Sequence, residues 1–482
     1  MQSKQPQVLV IGDVMLDRTL SGTATRLSPE RPVPVLREGG WQSRPGGAAN
    51  VAANLSAMGI TPYLLGAIGD DADGAALRQL LSDADVHACL LTTLQQTTTK
   101  TRIVADGHQL VRLDRESAGR QQETALATAL SCLDGVQAVV FSDYAKGFLN
   151  PELVYHILSM ALSRSLPVFV DTKPANALWY AGANLYKLNL REALDVLDRF
   201  GVIHPAAAET PLNAAEWAAA TLVPRLRANA VVVTAGEAGA AYACDGNWSR
   251  SWVADAAPVA DVAGAGDTVL AALVAASLRG HYGFETLTWA VAAAGLAVRQ
   301  AGTTAITAVA IDDAVCRQQG ANGKVLSATQ AIQQAAGWQT SGQKVVLTSG
   351  CFDGLHVGHI ELLRLASAYG DRLLVWVNDD ESLQALKGPG RPYVAQADRL
   401  SHLAQLADVD RVMSFDGDVR KLLNHWRPDV YVKGADALLA GNVPGADYLV
   451  ERGSRVEFVP MFPPGQPAHS SNLFVTAVDP KS

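Results

Sequence analysis

The chain has 482 residues, more than one hydrophobic core normally serves, so roughly two or three domains are expected. Apolar residues make up 49% and charged residues 18%, which excludes a disordered or fibrous chain and suits an α/β protein. A net charge of -8, from 39 basic against 47 acidic residues without a long single-sign run, leaves no electrostatic footprint for duplex nucleic acid or an anionic membrane. Cys89, Cys132, Cys244, Cys316 and Cys351 are odd in number and lack C-x-x-C spacing. They predict reduced thiols in a cytoplasmic compartment, not a disulfide framework or a zinc site.

The first residues, MQSKQPQVLVIGDVMLD, read as a β-strand, because Asp13 and Asp17 interrupt the apolar run and no small-residue cleavage site follows. No apolar stretch reaches the roughly 18 residues of a membrane helix. From Val8 to about residue 310, runs such as AVVFSD, PVFVD and AVVVTAG alternate with helical patterns, the βαβ rhythm of a covered parallel sheet. The polar segment Arg317 to Lys324 breaks that rhythm and is the candidate linker. Ser327 and Gln330 then form a capping box that opens a helix through about Trp338, and KVVLTSG begins a second α/β unit. The expected organisation is a domain over 1–317, a linker and connecting helix over 318–343, and a smaller domain over 344–482.

Within Asp261 to Leu278, DVAGAGDTVLAALVAASL, a glycine turn feeds an apolar helix. Gly264, Ala265 and Gly266 can aim backbone N–H groups at an anion at the positive helix end, meeting phosphate charge without a lysine. Asp267 beside them is placed to take a proton from a hydroxyl. Read alone, an aspartate there is more often a helix cap.

RPGGAANVAANLSAMG, Arg44 to Gly59, followed by Gly69, resembles the first signature of the ribokinase-like (PfkB) sugar kinases, and Asp261 to Ala272 resembles their second. The resemblance implies a ribokinase-like fold with a small β-lid near 14–37 and 100–113, and often a homodimer formed through it. It makes Asp267 the general base beside an anion hole at Gly264, Ala265 and Gly266. It places Asp13, Gly46, Gly47 and Asn50 around the sugar. Asn189, Leu190, Arg191 and Glu192 match the family's N-x-x-E on the ATP side, whose carboxylate helps organise Mg2+ indirectly, and Thr234 and Gly236 match its nucleotide loop. Segments GDVMLDR, SPERPVPV, LVRLD and SDYAKG resemble heptose 7-phosphate kinases in particular. Arg102, Arg112, Asp143, Lys146 and Lys173 are then candidates for holding the sugar phosphate. Two departures stand out: Leu188 replaces the usual Pro before Asn189, and Thr172 replaces Pro before Lys173.

The second unit opens with TSGCFDGLHVGHIELL, Thr348 to Leu363, which sets a glycine turn after a strand and His356 and His359 three residues apart on one helical face. Two such histidines, with a helix N-terminus, can grip nucleotide phosphates, and no Cys or carboxylate cluster completes a metal set. The pattern G-x-F-D-x-x-H-x-G-H resembles the cytidylyltransferase-like nucleotidyltransferases. It implies nucleotide contacts from Gly350, Phe352, Asp353, Asn378, Asp379, Arg399, Lys433, Asp436, Ser470 and Ser471, with Lys387 as a mobile cation over the phosphates. Asn472 departs from the usual S-S-T turn.

The order of the two modules resembles the bifunctional heptose 7-phosphate kinase and heptose 1-phosphate adenylyltransferase. That implies ATP and Mg2+ at both sites, sugar phosphates as substrates, and a separate phosphatase acting between the steps. Two other readings stand beside it: the same chemistries on a different sugar phosphate, and a sugar-nucleotide sensor with one inactive module.

Overall fold

A computed structural model describes residues 5–117, 122–203, 210–244, 247–251, 262–281, 283–300, 302, 304–435, 443 and 445–460. The chain divides into two compact units, Met1–Ile311 and Asp312–Ser482. In chain order the first unit contains β1 (Gln7–Gly12), β2 (Val14–Leu27), β3 (Pro34–Gly47), β4 (Thr61–Gly69), β5 (His87–Leu94), β6 (Thr99–Ala105) and β7 (His108–Arg115). It continues with β8 (Ala138–Asp143), β9 (Val168–Thr172), β10 (Leu185–Asn189), β11 (Ala230–Thr234), β12 (Ala240–Cys244) and β13 (Asn247–Ser251).

Nine of these strands form one sheet in the order β13-β12-β11-β10-β9-β8-β1-β4-β5. All neighbours from β11 to β5 are parallel, and β12 and β13 add an antiparallel edge. Parallel strands are covered on both faces, which is why Val8 to Ile11, Val139 to Phe141 and Val231 to Val233 are apolar without alternation and fully buried. Strand order reverses at β1, which lies between β4 and β8. In open α/β sheets the crevice beyond such a switch point is where ligands bind.

The remaining four strands form a small sheet, β3-β2-β6-β7, over the segments expected to make a lid. Its β2–β3 and β6–β7 pairs are antiparallel, while β2 and β6 run parallel. Two helices then bring distant residues together: Ala48–Ala57 and Ala265–Leu278 pack on each other and carry Asn50 and Asp267. The second of these is buried from Asp267 to Ala276, and its alanine-rich surface suits a helix enclosed on every side.

The second unit contains β14 (Val345–Gly350), β15 (Arg372–Asn378), β16 (Arg411–Phe415), β17 (Val430–Gly434) and β18 (Arg455–Val459). They form a fully parallel sheet, β16-β15-β14-β17-β18, whose order reverses at β14. The helix Ala328–Thr340 starts at the expected capping box, with Ser327 and Gln330 reciprocally bonded. The segment before it folds onto this unit: Lys324 Nζ donates to the Leu406 carbonyl at 2.9 Å and Val325 bridges to Val412.

A buried polar network fixes these helical segments to the sheet. Asp313 accepts from Arg372 at 2.8 Å and Arg411 at 3.0 Å, Gln334 accepts from Arg411 Nε at 2.6 Å, and both guanidinium groups lie just over 5 Å from the Trp338 ring. Removing the anion leaves a buried guanidinium without its counter-charge. Asp313→Ala is therefore expected to cost about 3–5 kcal/mol in the stability of the second unit, read by urea unfolding of the full chain.

Candidate active sites

The first site gathers beyond the carboxyl end of β1. Gly264, with φ 75°, is the N-cap of the Ala265–Leu278 helix, a left-handed conformation that favours glycine. Asp267 sits in the first turn and is not the cap. As a glycine, the N-cap gives the first turn no side-chain bond, and an anion beside Gly264, Ala265 and Gly266 can meet the positive helix end.

Asp267 is only 3% exposed. The Tyr144 hydroxyl donates to its Oδ1 at 2.5 Å, and Asn50 Nδ2 donates to its Oδ2 at 2.9 Å. Burial holds its carboxyl above the ordinary range, opposed by the bonds from Tyr144 and Asn50 and the nearby charge of Lys187. Asp267 is thus a desolvated carboxylate with two fixed donors, the condition of a poised base.

The expectation of a lysine-free phosphate turn is corrected by Lys187. A Cβ on Gly266 would lie 2.8 Å from Lys187 Nζ, so the glycine turn rests against a buried ammonium. Lys187, on β10, pairs with Asp171 of β9 at 2.6 Å. Burial pushes the Asp171 carboxyl up to about 6, against the pull of Lys187. The lid adds a second cation. Lys100 of β6 lies opposite Asp17 of β2 in the ladder, and its Nζ is 5.0 Å from the Tyr144 ring.

Other expected residues fall into framework positions. Asp13 accepts backbone N–H bonds from Tyr144 at 2.9 Å, Lys146 at 3.0 Å and Phe148 at 3.3 Å. Asp143 accepts from Thr172, Asn176, Tyr180 and the Ala145 backbone at 2.8–3.1 Å. Both carboxylates organise the loop after β8. Gly47, with φ 59°, is the N-cap of the Ala48–Ala57 helix, while a Cβ on Gly46 would meet Asp17 and Met15 at 2.9 Å.

Arg102 lies 3.6 Å from Asp17, and Arg112 stands opposite Arg102 in the β6–β7 ladder while pairing with Asp114 at 2.9 Å. Lys146 is paired with Glu116. Lys173 binds Glu192 Oε1 at 2.6 Å and also lies 5.2 Å from the Tyr144 ring. The N-x-x-E is a capping box: Asn189 Oδ1 accepts from the Glu192 N–H, and Glu192 Oε2 accepts from the Asn189 N–H at 3.0 Å. Leu190 and Arg191 form the first turn that follows it. Thr234 ends β11, and Gly236, with φ 60°, opens the turn after it.

The second site lies beyond the end of β14. Phe352 and Gly354 both take positive φ, 49° and 88°, folding the turn back toward the helix Val357–Ser367. His356 caps that helix, its Nδ1 accepting from the Gly358 N–H at 3.1 Å. The rings of His356 and His359 stack with centroids 3.9 Å apart, and Phe352 covers His359 at 5.2 Å. The His359 ring is mostly buried and has a backbone hydrogen bond at Gly354. Burial, then the neighbouring His356, lower the His359 imidazole to about 4, so it is neutral at pH 7. Lys387, exposed at the end of the helix Asp380–Lys387, is near enough for its charge to act on both His359 and Cys351.

Arg399 is enclosed rather than presented to a ligand. Its guanidinium donates to the carbonyls of Cys351, Asn378 and Val394 at 2.7–2.9 Å and to Asp380 at 2.7 Å. Asp353 likewise anchors a loop: its burial is outweighed by bonds from Arg391, Val394 and Tyr393, which bring its carboxyl below the ordinary range. Gly350 ends β14 against the Phe352 ring. Asn378 donates to Ser382 at 3.2 Å, and Asp379 caps the helix that ends at Lys387. Lys433 Nζ donates to the Ser349 carbonyl at 2.6 Å, beside β14. Asp436, Ser470, Ser471 and Asn472 lie outside the described residues.

Residues 5–309 match the model of the pfkB family carbohydrate kinases, and residues 347–470 match the cytidylyltransferase-like model. A bifunctional protein HldE of Caulobacter sp. (strain K31) is 40% identical over 458 residues, covering 93% of this chain and 92% of that protein. The bifunctional protein HldE of Pseudomonas aeruginosa (strain LESB58) is 41% identical over 435 residues, covering 90% of each. This chain belongs to the bifunctional HldE family.

Among solved structures, phosphofructokinase-2 from Escherichia coli in complex with substrates and products superposes with a TM-score of 0.55 at 20% identity, over 66% of this chain and all of that one. Arabidopsis thaliana ribokinase complexed with ribose and ATP gives 0.52 at 18%, over 65% of this chain and 99% of that one. Both share the ribokinase-like fold of the first unit. As an HldE family member the chain is an enzyme with a kinase unit followed by a nucleotidyltransferase unit, and ATP is its phosphoryl donor. No described helix is long and apolar enough to cross a membrane.

Several contributors were hidden from a linear reading. Tyr144 lies inside the quoted SDYAKG, yet only the fold shows its hydroxyl on Asp267. Lys187 opens KLNLRE and Asp171 precedes Thr172 and Lys173, yet no role for either, or for Lys100, can be read from those segments, and strand register brings them to the site.

The depressed His359 imidazole has a measurable consequence. Its folded value, about 4, lies below its ordinary 6.5, so the unfolded chain takes up the proton first and stability falls as pH drops through that window. Between pH 7 and pH 4 the second unit should lose about 3 kcal/mol through this group, and His359→Gln should flatten that part of the pH dependence of its unfolding.

Proposed function

We propose that the first unit transfers the γ-phosphoryl group of ATP to the anomeric hydroxyl of D-glycero-β-D-manno-heptose 7-phosphate, giving the 1,7-bisphosphate and ADP. The second unit then transfers AMP from ATP to the heptose 1-phosphate, giving ADP-heptose, a precursor of lipopolysaccharide core, and pyrophosphate. The observation that carries this reading is the alignment of both units, in order, with HldE proteins over nine-tenths of the chain.

In the first step Asp267 accepts the hydroxyl proton as the sugar oxygen attacks the γ-phosphorus. The first turn of the Ala265–Leu278 helix, with Lys187 behind it, meets the charge on the transferring group. Arg102, Arg112, Lys146 and Lys173 are the cations for the phosphate already on the sugar. Arg102 and Arg112 face each other in the ladder, each with a carboxylate of its own nearby, Asp17 and Asp114, for which a substrate phosphate would compete. Asp13 and Asp143 set the loop that carries Lys146.

Magnesium fits as a guest of the ATP phosphates. Among the described residues no group of three or more His, Cys, Asp or Glu side chains could hold a metal by itself. Both Glu192 oxygens are already engaged, consistent with a role through water. The ion neutralises polyphosphate charge.

In the second step an oxygen of the sugar 1-phosphate attacks the α-phosphorus and pyrophosphate leaves, with no covalent enzyme intermediate. His356 and His359, at the start of the Val357–Ser367 helix, contact the phosphates, and Lys387 covers the leaving group. Arg399 and Asp353 act by holding loops. Because the bisphosphate must lose its 7-phosphate between the two steps, a separate phosphatase completes the sequence. Reliance on ATP and five free thiols support our reading of a cytoplasmic location.

We further propose a homodimer formed through the lid. One lid face carries an apolar row in register, Trp41, Leu20, Ile103 and Val111, with Trp41 47% and Val111 50% exposed.

Purified protein with ATP, magnesium and D-glycero-D-manno-heptose 7-phosphate should yield bisphosphate, and ADP-heptose only once a phosphatase is added, as followed by mass spectrometry. No bisphosphate would assign the first unit to another sugar. Asp267→Asn should lower phosphorylation by about 10²–10⁴-fold and leave nucleotidyl transfer intact, while His359→Ala should do the reverse. Loss of both activities in either folded variant refutes two independent sites.

A further inference from the structure

We propose that Tyr144 is a positioning residue for the kinase reaction, keeping the Asp267 carboxylate ionised and oriented toward the incoming hydroxyl. The inference rests on Asp267 being the base, and adds the group that sets its working state.

Tyr144 is aimed by its surroundings. Its backbone N–H is bonded to Asp13 at the end of β1, and its ring has Lys100 Nζ at 5.0 Å and Lys173 Nζ at 5.2 Å. Two cations near one aromatic ring favour its position through the ring quadrupole. They also add positive potential beside the hydroxyl's acceptor. The hydroxyl points at Asp267 Oδ1, at a separation typical of a charge-assisted O–H···O⁻ bond.

Asn50 occupies the other oxygen but has a second tie, accepting from Asn54 Nδ2 at 3.0 Å. Tyr144 thus supplies the hydroxyl donor to a carboxylate otherwise enclosed by Asn50, Lys187, Asp171, Lys100 and Asp17. Burial and the adjacent Asp267 charge raise the phenol far above neutrality, so Tyr144 remains a donor at every working pH. A donor to the ionised form stabilises that form. Without it Asp267 takes up its proton at higher pH and is less often available as a base.

Tyr144→Phe keeps the ring, and with it the contacts to Lys100 and Lys173, and removes only the donor. In the full chain carrying ¹³C-labelled aspartate, the Asp267 carboxyl resonance, assigned by its absence in Asp267→Asn, should titrate about one pH unit higher in Tyr144→Phe. The acid limb of kinase kcat/KM should move upward by the same amount, with activity recovering toward wild type above it and KM for ATP unchanged. Nucleotidyl transfer by the same molecule reports that the variant is folded. An unmoved titration midpoint overturns the proposal, and so does a uniform fall in kcat at all pH values, which marks a merely structural contact. Full kinase activity in Asp267→Asn would instead remove the base assignment itself.

Discussion

The carboxylate of Asp13, at the point where strand order reverses, gathers three backbone N–H groups from the loop after β8. On that gathering depend the position of Tyr144, its bond to Asp267, and the placement of Lys146. The carboxylate is buried, and burial raises it above the ordinary range despite those three bonds. Its ionised form is therefore held in place by the loop as much as the loop is held by it. A side chain of the same shape without the charge would satisfy fewer of the three donors.

The second unit solves the same problem with the opposite sign. Arg399, a cation, gathers the carbonyls of Cys351, Asn378 and Val394, drawing together the segments that follow β14 and β15. Only a planar fork with several N–H groups can serve three carbonyls and Asp380 at once, so lysine is no substitute. In both units a buried ion fixes the crevice beyond the central parallel strand, and the candidate site residues ride on the backbone it organises.

What was legible in the sequence is what is encoded locally. The glycine turn before Asp267, the H-x-G-H at the start of its helix, and the Ser327 capping box each need only a few adjacent residues, and each folds as expected. The apolar runs alternating with helical patterns likewise predicted parallel sheets, whereas the lid was expected only from the family resemblance. Roles that depend on register or on distant segments were not legible. Lys100 and Lys187 are single cations in unremarkable strands, and only strand order puts one in the lid beside Tyr144 and the other under Gly266. Asp13 and Arg399 are residue types suited to ligand contact, and only the fold shows the backbone groups that each of them also binds. Glu192 shows the same ambiguity, since N-x-x-E spacing serves helix capping and ligand contact equally well.

The bond between Asn50 and Asp267 spans 217 residues, whereas the bond between Lys433 and Ser349 spans 84. Closing the larger loop carries the greater entropic penalty, and contacts of such sequence separation form late in folding. During synthesis, the polypeptide must emerge past the Ala265–Leu278 helix before the Asn50–Asp267 bond can form at all. Until then the residues of Ala48–Ala57 that pack on that helix lack their neighbour. Apolar surface that stays unburied until the middle of the message is translated is a place where a nascent chain can aggregate.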